Sequence, residues 1–497
     1  MTFTETAQLI QTITEISATQ DAGPESDAAL RRATAALIGA LRAEGRLQES
    51  PMHLALTRTV ELHAEAAAAR LRGRRVLVTG GSGCVGTRLR GLLAEFEPAA
   101  LVNLDLVPHA EGPGEWLGCD IRDRAALEAA FAAARPEVVF HLASIREPGL
   151  AETVVREAVE TNVFGTGHII EACRRHGVLQ AVYSSTGKCF SYVTGHVYTA
   201  SKKLAEAQWA AAARAGGPTL FVMTRFTHVL ENGIIARDIA RGIEEGMVGL
   251  HGPSRHFNIQ NLRQATHLLI NALALAGGPA PGSFWSAVDL GWPVNTLELA
   301  LHEITQSGRD VGVRFLGVPK GYDESFFRGQ FDWSGEHEYH PLINALEAPT
   351  VFADSTGTMI GAHVPHCPKP ALEAALDGLR ARLGEAGADP EVKQALLDAV
   401  AQVAQAIFAT IPSGRLLEIL WWGAAPAWTT PAAAARFVTI MAMLADLVLH
   451  GLERQGMVPE PAQADMLRDI AATFAGIPGL GGRAGRLEAA TQLLCAA

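Results

Sequence analysis

The sequence predicts an α/β chain: a doubly wound parallel sheet with a small second lobe, flanked on both sides by helical extensions. Three observations lead there. Between Arg74 and about Thr350, short β-rich runs alternate with helical patterns. A glycine-rich turn, TGGSGCVG, joins the first of those runs to the first of those helices. After the loop AHVPHCPKP (362–370) strand patterns stop and only helical stripes remain.

At 497 residues the chain exceeds what one hydrophobic core supports, so two or three folding units are expected. Residues 1–72 read as a helical N-terminal extension. Leu30, Ala33, Leu37 and Leu41 recur at helical spacing, Pro51 breaks the pattern, and Leu56, Val60, Ala64, Ala67 and Leu71 form a second stripe. Two such helices cannot bury both stripes alone, so they dock on the next domain or on a second subunit. Residues 73–361 hold the strands RVLVT (75–79), LVNLD (101–105), WLGCD (116–120), VVFHLA (138–143), AVYSS (181–185) and LFVMTRF (220–226), with a substrate lobe over about 226–350. Near-continuous apolar strands, each followed by a helix, are the pattern of a parallel sheet covered on both faces. Residues 371–497 read as an all-helical C-terminal domain. Asp389-Pro390 is a capping residue followed by proline, and Thr430-Pro431 begins another helix.

A composition of 48% hydrophobic and 19% charged residues is that of a core-forming globular protein. The net charge of −11 argues against nucleic acid as a partner. The start, MTFTETAQLIQTITE, lacks the basic region and apolar run of a secretory signal. No stretch reaches the uncharged length of a spanning helix, since Arg436 and Asp446 interrupt PAAAARFVTIMAMLADLVLH. Six cysteines without a CxxC pair read as reduced thiols, and the expected location is cytoplasmic.

In TGGSGCVG each glycine has a task. Gly80 permits the turn at the strand end, Gly83 lets the backbone approach a pyrophosphate, and Gly86 allows close packing of the helix. The helix start, with Cys84 and Val85, offers N–H groups to phosphates. Asp105 closes the next strand nineteen residues after Gly86, near the distance at which a carboxylate meets an adenosine ribose. No arginine follows it in LVPHAEG to favour a 2′-phosphate, so the expected cofactor is NAD.

The GxxGxxG spacing resembles that of the extended short-chain dehydrogenase/reductases, which have a Rossmann-like fold, and further motifs follow in order. CDIRD (119–123) resembles the segment that contacts the adenine, here through Asp120 and Ile121. HLAS (141–144) is similar to the strand that lies along the cofactor, through Leu142, Ala143 and Ser144. TNVFGT (161–166) resembles the helix that places Asn162 behind the active site. YSSTGK (183–188) and YTASK (198–202) complete the set, with Ser184 on the cofactor side.

Tyr198 and Lys202 lie four apart and share a helix face. A lysine ammonium beside the phenol would lower its pKa from about 10 towards working pH. Tyr198 could then exchange a proton with a substrate hydroxyl, with Thr186 bonded to the same oxygen and Lys202 on the nicotinamide ribose. SSTGKC, RHFNIQNLRQATHLL (255–269) and FLGVPKGYDES (315–325) resemble the polysaccharide-biosynthesis branch, the nucleotide-sugar 4,6-dehydratases and epimerases. The resemblance implies a nucleotide sugar oxidised to a transient ketone and later reduced again, with no net redox change.

Departures qualify that picture. Gly187 stands where the dehydratases carry an aspartate acid, and Lys188 is retained as a base beside a ketone. Val318 replaces the arginine of the RPGEK segment, leaving Lys320 and Arg255 as candidate charges for a diphosphate. Arg146, His228 and Asn232 are further candidates for substrate contact. His337, His340, His363, His366 and Cys367 match no metal motif, and no metal is expected. Trp421, Trp422 and Trp428 read as core or interface first and as an apolar substrate pocket second. An epimerase or dehydratase is thus the leading expectation. A net alcohol dehydrogenase or ketoreductase on a non-nucleotide substrate is the alternative, and a vestigial cofactor-binding scaffold is the third reading. The family pairs subunits through two helices of the cofactor domain, so a homodimer is expected.

Overall fold

The computed structural model describes residues 5–19, 23–108, 111–232, 234–385, 387–454 and 459–492. The N-terminal stretch forms helices α1 (Glu5–Ala18), α2 (Pro24–Ala43), α3 (Pro51–Thr57) and α4 (Ala64–Leu71). The first of these was not foreseen. The second predicted stripe is not one helix: residues 58–63 run extended and Leu56 is exposed. Pro51 starts a helix and does not merely end a pattern, with Ser50 capping it by accepting from His53 N.

A nine-stranded sheet organises the centre. Its strands are β1 (Arg75–Thr79), β2 (Ala100–Asp105), β3 (Glu115–Gly118), β4 (Val138–His141), β5 (Gln180–Thr186), β6 (Leu220–Phe226), β7 (Ser283–Ala287), β8 (Phe352–Ala353) and β9 (Met359–His363). They lie in the order β8-β9-β7-β6-β5-β4-β1-β2-β3. From β3 to β7 every pairing is parallel, and β9 and β8 add an antiparallel edge. The reversal of strand order between β1 and β4 makes the fold doubly wound. In register, Thr79 lies opposite both Leu104 and His141. Gly80, Asp105 and Leu142 therefore collect at one edge of the sheet.

Helices cover both faces: α5 (Cys84–Ala94), α6 (Arg124–Ala134), α7 (Val155–Val159), α8 (Thr166–Arg175) and α9 (Val197–Arg214). A π-helical turn, Glu160–Gly165, links α7 to α8. The second lobe carries α10 (Ile234–Glu245), α11 (Leu262–Ala274) and α12 (Thr296–Ser307) with three two-stranded sheets. Of these helices, α11 packs back on the main sheet.

The N-terminal helices complete that lobe. Leu30, Leu37 and Leu41 share a core with Val248, Leu250, Leu301 and Val313. The strand Gly312–Phe315 is finished by hydroxyls from α1 and α2: Val313 N donates to Thr34 Oγ1 at 2.9 Å and Phe315 N to Ser17 Oγ at 2.9 Å. A strand edge left bare would carry unpaired N–H groups, and the extension removes them. Val60, Ala67 and Leu71 pack instead against α11 and β1. The expected docking on the neighbouring domain is thus what the fold contains.

Beyond residue 368 the described residues form helices and their connections, with no strand among them: α13 (Lys369–Glu385), α14 (Asp389–Phe408), α15 (Ser413–Ala424), α16 (Val438–Arg454), α17 (Pro461–Ala475) and α18 (Gly481–Gln492). Asp389 is the first helical residue, preceded by Ala388 with no side-chain cap, whereas Thr430 does cap, accepting from Ala433 N. Residues Pro431–Glu453 are long and apolar enough to cross a membrane by length and composition, which corrects the reading that no stretch is. Here a 3-10 turn at Ala435–Phe437 interrupts the run, and Ile440, Met441, Leu444 and Val448 enter the C-terminal core.

The hairpin of α13 and α14 lies on the helices beside the main sheet. Leu372, Leu379, Leu396 and Val403 share a buried cluster with Val155, Val159, Val197 and Leu204 of α7 and α9. The chain thus covers this face of α7 and α9 with its own helices. Arg225, at the end of β6, ties the same region together. It is fully buried between Glu206 of α9 and Glu347, with Nη1 to Glu347 Oε2 at 2.8 Å and Nη2 to Glu206 Oε1 at 2.5 Å. Burial opposes its charge, but the two carboxylates outweigh burial and hold its pKa well above the ordinary value.

Candidate functional site

A cavity of about 1200 Å³ opens along the C-terminal edge of the parallel strands, where doubly wound sheets place ligands. Its walls bring together Gly80, Gly83, Cys84, Val85, Gly86, Asp105, Asp120, Ile121, Leu142, Ala143, Ser144, Ser184, Thr186, Lys188, Tyr198 and Lys202. It extends to Arg146, His228 and Arg255 on the lobe side. Residues scattered over nearly 180 positions thus share one space.

At one end the wall is main chain. Gly80 has φ +70°, and a Cβ there would lie 2.6 Å from Ala143 N, so the turn presses directly on the end of β4. At Gly86 a Cβ would meet Gly80 O at 2.4 Å, so this glycine packs α5 on the turn itself. Gly83 precedes α5 with no side-chain cap, so the first N–H groups of that helix have neither an intrahelical acceptor nor a capping oxygen. The turn is braced from below: Arg90 Nε donates to Gly81 O at 3.0 Å, and Asn103 Nδ2 to Ser82 Oγ at 3.0 Å.

Asp105 accepts from Ser82 N at 3.0 Å and from Val107 N at 3.2 Å, which fixes its carboxylate at the cavity wall. Asp120 is paired with Arg122, whose Nη2 lies 2.6 Å from Oδ2. That hydrogen bond is the main reason its pKa falls below the usual carboxylate range. Asn162 does not line the cavity. Buried in the π-helical turn, it accepts from Ile145 N at 2.8 Å and donates to Ser201 Oγ at 2.9 Å, tying the loop after β4 to α9. Its place is behind the cavity, bracing the wall.

The geometry around Tyr198 departs from the expectation. Burial pushes the phenol up to about 12, while a hydrogen bond with Thr186 and the charge of Arg146 pull it down. Lys202 is not among the groups that lower it. The lysine is 3% exposed, its Nζ donates to Ser184 O at 2.8 Å, and it lies 4.3 Å from the centre of the Tyr183 ring. Burial lowers its ammonium to about 8. Helical spacing puts the two side chains on one face, but the carbonyl at the end of β5 draws the ammonium away from the phenol.

Lys188 has a partner that sequence reasoning missed. Its Nζ donates to Glu324 Oε2 at 3.1 Å, and the same carboxylate accepts from Thr199 Oγ1 at 3.0 Å and Thr194 Oγ1 at 2.5 Å. Glu324 arrives from the FLGVPKGYDES segment, 136 positions away, so no local pattern could reveal it. A Cβ at Gly187 would lie 2.2 Å from Leu342 Cδ2 and 3.3 Å from Phe226 O, so a side chain there would require Leu342 to turn aside. His228 lines the cavity with Nε2 buried and without a hydrogen-bond partner. Burial, then Arg146, lowers its pKa to about 4.

Two candidates fall elsewhere. Lys320 is exposed and not part of the cavity wall. The side chain of Asn232 lies outside the described residues. Arg255 reaches the wall while donating to the carbonyl of Tyr322. Of the histidines once considered for metal, His340 is buried and bonded to Ala287 O at 3.1 Å. Among the described residues, no group of three or more His, Cys, Asp or Glu is arranged to hold a metal ion. Trp422 is buried in the C-terminal core, Trp421 Nε1 donates to Asp469 at 2.9 Å, and Trp428 is half exposed.

Residues 115–322 match the family model described as polysaccharide biosynthesis protein. The chain is 26% identical over 284 residues to the capsular polysaccharide biosynthesis protein CapD of Staphylococcus aureus, covering 53% of this chain and 46% of that one. It is 28% identical over 187 residues to the UDP-N-acetylglucosamine 4,6-dehydratase (inverting) of Campylobacter jejuni, covering 35% and 54%. The chain spans about half the length of these curated relatives. Among solved structures, Pen from Bacillus thuringiensis aligns with a TM-score of 0.49 at 20% identity, over 60% of this chain and 90% of that one.

Proposed function

We propose that this chain, which resembles the polysaccharide-biosynthesis branch of the extended short-chain dehydrogenase/reductases, is an NAD-dependent enzyme that modifies a nucleotide sugar through a transient ketone. The observation that carries the reading is the single cavity shared by the glycine turn, Asp105 and the group Thr186, Lys188, Tyr198 and Lys202. The glycine turn fits a pyrophosphate, since α5 starts beside it with N–H groups that no side chain caps. Asp105 suits a free ribose diol, which favours NAD. Bound NAD supplies a hydride acceptor that can return the hydride.

The protein's own groups then have distinct tasks. Tyr198 takes the proton of the substrate hydroxyl as a phenolate, the form that the Thr186 hydrogen bond and the charge of Arg146 favour against burial, and Thr186 holds the same substrate oxygen. Lys202 anchors the nicotinamide ribose. The Lys188–Glu324 pair stands beside the new carbonyl, its carboxylate to take the proton that the carbonyl has made acidic and its ammonium to return one to the carbon. With Leu342 filling the space beside Gly187, no acid stands there to protonate a leaving hydroxyl, and epimerisation is favoured over dehydration. His228, Arg146 and Arg255 offer polar contacts to the substrate from the lobe side.

We read the chain as three parts, 1–72, 73–361 and 371–497, the first completing the lobe and the last covering α7 and α9. A homodimer of this chain pairs through some other face. The working location is the cytoplasm.

The test is incubation with UDP-N-acetylglucosamine and UDP-glucose in deuterated water, following the carbon-bound protons by NMR and absorbance at 340 nm. Deuterium entering next to the oxidised carbon without accumulation of NADH supports the reading. Stoichiometric NADH would favour net alcohol oxidation.

A further inference from the structure

The end of the cavity beside Lys188 is aromatic. Phe190 follows Lys188 by two positions, and its ring centre lies 5.1 Å from that of Phe326 and 5.3 Å from that of Phe331. Phe331 in turn lies 5.4 Å from Tyr339, and Leu342 fills the space against Gly187. All five side chains line the same cavity as Tyr198 and Thr186. Phe190 is buried, but Phe326 is 45% exposed and Tyr339 59% exposed. The series continues outward, where the Arg328 guanidinium lies 4.0 Å from the Trp333 ring centre and 4.7 Å from that of Trp428 in the C-terminal domain.

A run of tilted, partly exposed rings offers a bare sugar little to bond its hydroxyls. A hydroxymethyl group asks for hydrogen-bond partners, and this end offers few. Gly187 has no side chain, and Glu324 is already committed to Lys188, Thr194 and Thr199. A contiguous apolar patch on a cavity wall marks a group that covers it. The rings line the same cavity as the glycine turn and Tyr198, so the group that covers them belongs to the ligand bound there.

We propose that the substrate carries an apolar substituent of acyl or aryl size, on the side of the sugar that faces Lys188, and that Phe190, Phe326, Phe331 and Tyr339 bind it. This rests on the reading of the cavity as the site of a nucleotide sugar. It gives the 324–342 segment a task, the selection of that substituent.

Calorimetric titration of the full chain in saturating NAD tests it, with UDP, UDP-glucose, UDP-6-O-hexanoylglucose and UDP-6-O-benzoylglucose as probes. The acylated sugars should bind at least about tenfold tighter than UDP-glucose, as burial of that much apolar surface implies. A larger gain for benzoyl than for hexanoyl identifies an aryl group, and the reverse identifies an alkyl chain. Phe326→Ala and Tyr339→Ala should each cut the gain to within about threefold, with UDP affinity and melting temperature unchanged. If UDP and UDP-glucose bind but acylation brings no gain, the inference is overturned and the nucleotide-sugar reading stands. If no nucleotide binds, that underlying reading fails. Methyl and phenyl β-glucosides then decide: tighter phenyl binding supports the aromatic subsite, and equal binding overturns it.

Discussion

The two ends of the cavity are built in opposite ways. At the glycine end the wall is main chain, specified by a few consecutive residues and braced by Arg90 and Asn103 from below. At the other end the wall is side chain, assembled from positions 190, 326, 331, 339 and 342. A site that recognises a constant ligand can be written in backbone, where only glycine permits the approach. A site that selects among substrates must be written in side chains, which can change one at a time.

The largest expected effect lies at the junction of the two ends. Tyr198→Phe removes the proton acceptor and should lower turnover by about 10²–10⁴-fold, with NAD affinity unchanged in titration. Turnover close to that of the unaltered chain would mean that the phenol is not the acid–base group.

Next comes the glycine end alone. In Gly83→Val a branched side chain would project from the turn at the pyrophosphate, and NAD affinity should fall by about 100-fold. A Cβ at Gly83 would lie 3.3 Å from Gly80 O, a tight contact, so circular dichroism of the variant must match that of the unaltered chain for the affinity to count. Unaltered NAD binding would remove the glycine turn from the site.

The pH dependence separates chemistry from stability. Lys202 holds its proton up to about 8 in the folded chain against 10.5 as the ordinary value. Between those values the unfolded chain binds more protons, so this group's contribution to stability rises with pH. Its charge at the site is lost over the same range, and turnover should fall about tenfold from pH 7 to pH 9. Thermal melts and rates measured together check this. A rate loss that merely follows unfolding would contradict it.

The smallest effect on the reaction is expected from Gly187→Asp. Restoring the residue of the dehydratases should not bring dehydration, because Leu342 occupies its place. Overpacking there should instead destabilise the fold by about 1–3 kcal/mol in denaturant titration. Mass spectrometry that found loss of water from the sugar would show that only the acid had been missing.

The same contrast explains what the sequence disclosed. The order β1 to β6, the glycine turn and the carboxylate of Asp105 were legible because each is local: an apolar run, a spacing, a strand end. Tyr198 and Lys202 were legible as a pair, but the direction of the ammonium was not, because the Ser184 carbonyl that holds it belongs to another element. Glu324 was hidden for the same reason. The break at residues 58–63 escaped because distant side chains create it: Asn261 Nδ2 donates to Arg58 O at 2.8 Å, and Asn271 Oδ1 accepts from His63 N at 2.9 Å. Likewise, apolar stripes on α13 and α14 announced a buried face without naming α7 and α9 as what they bury.

The central claim is that Tyr198 faces the reactive ring of a cofactor held by the glycine turn. A crystal structure of the chain with NAD tests it most directly. The account predicts the pyrophosphate on the N–H groups at the start of α5, the ribose diol on Asp105, and the nicotinamide between Lys202 and the Tyr198 hydroxyl. NAD bound away from the glycine turn, or a nicotinamide out of reach of Tyr198, would contradict it.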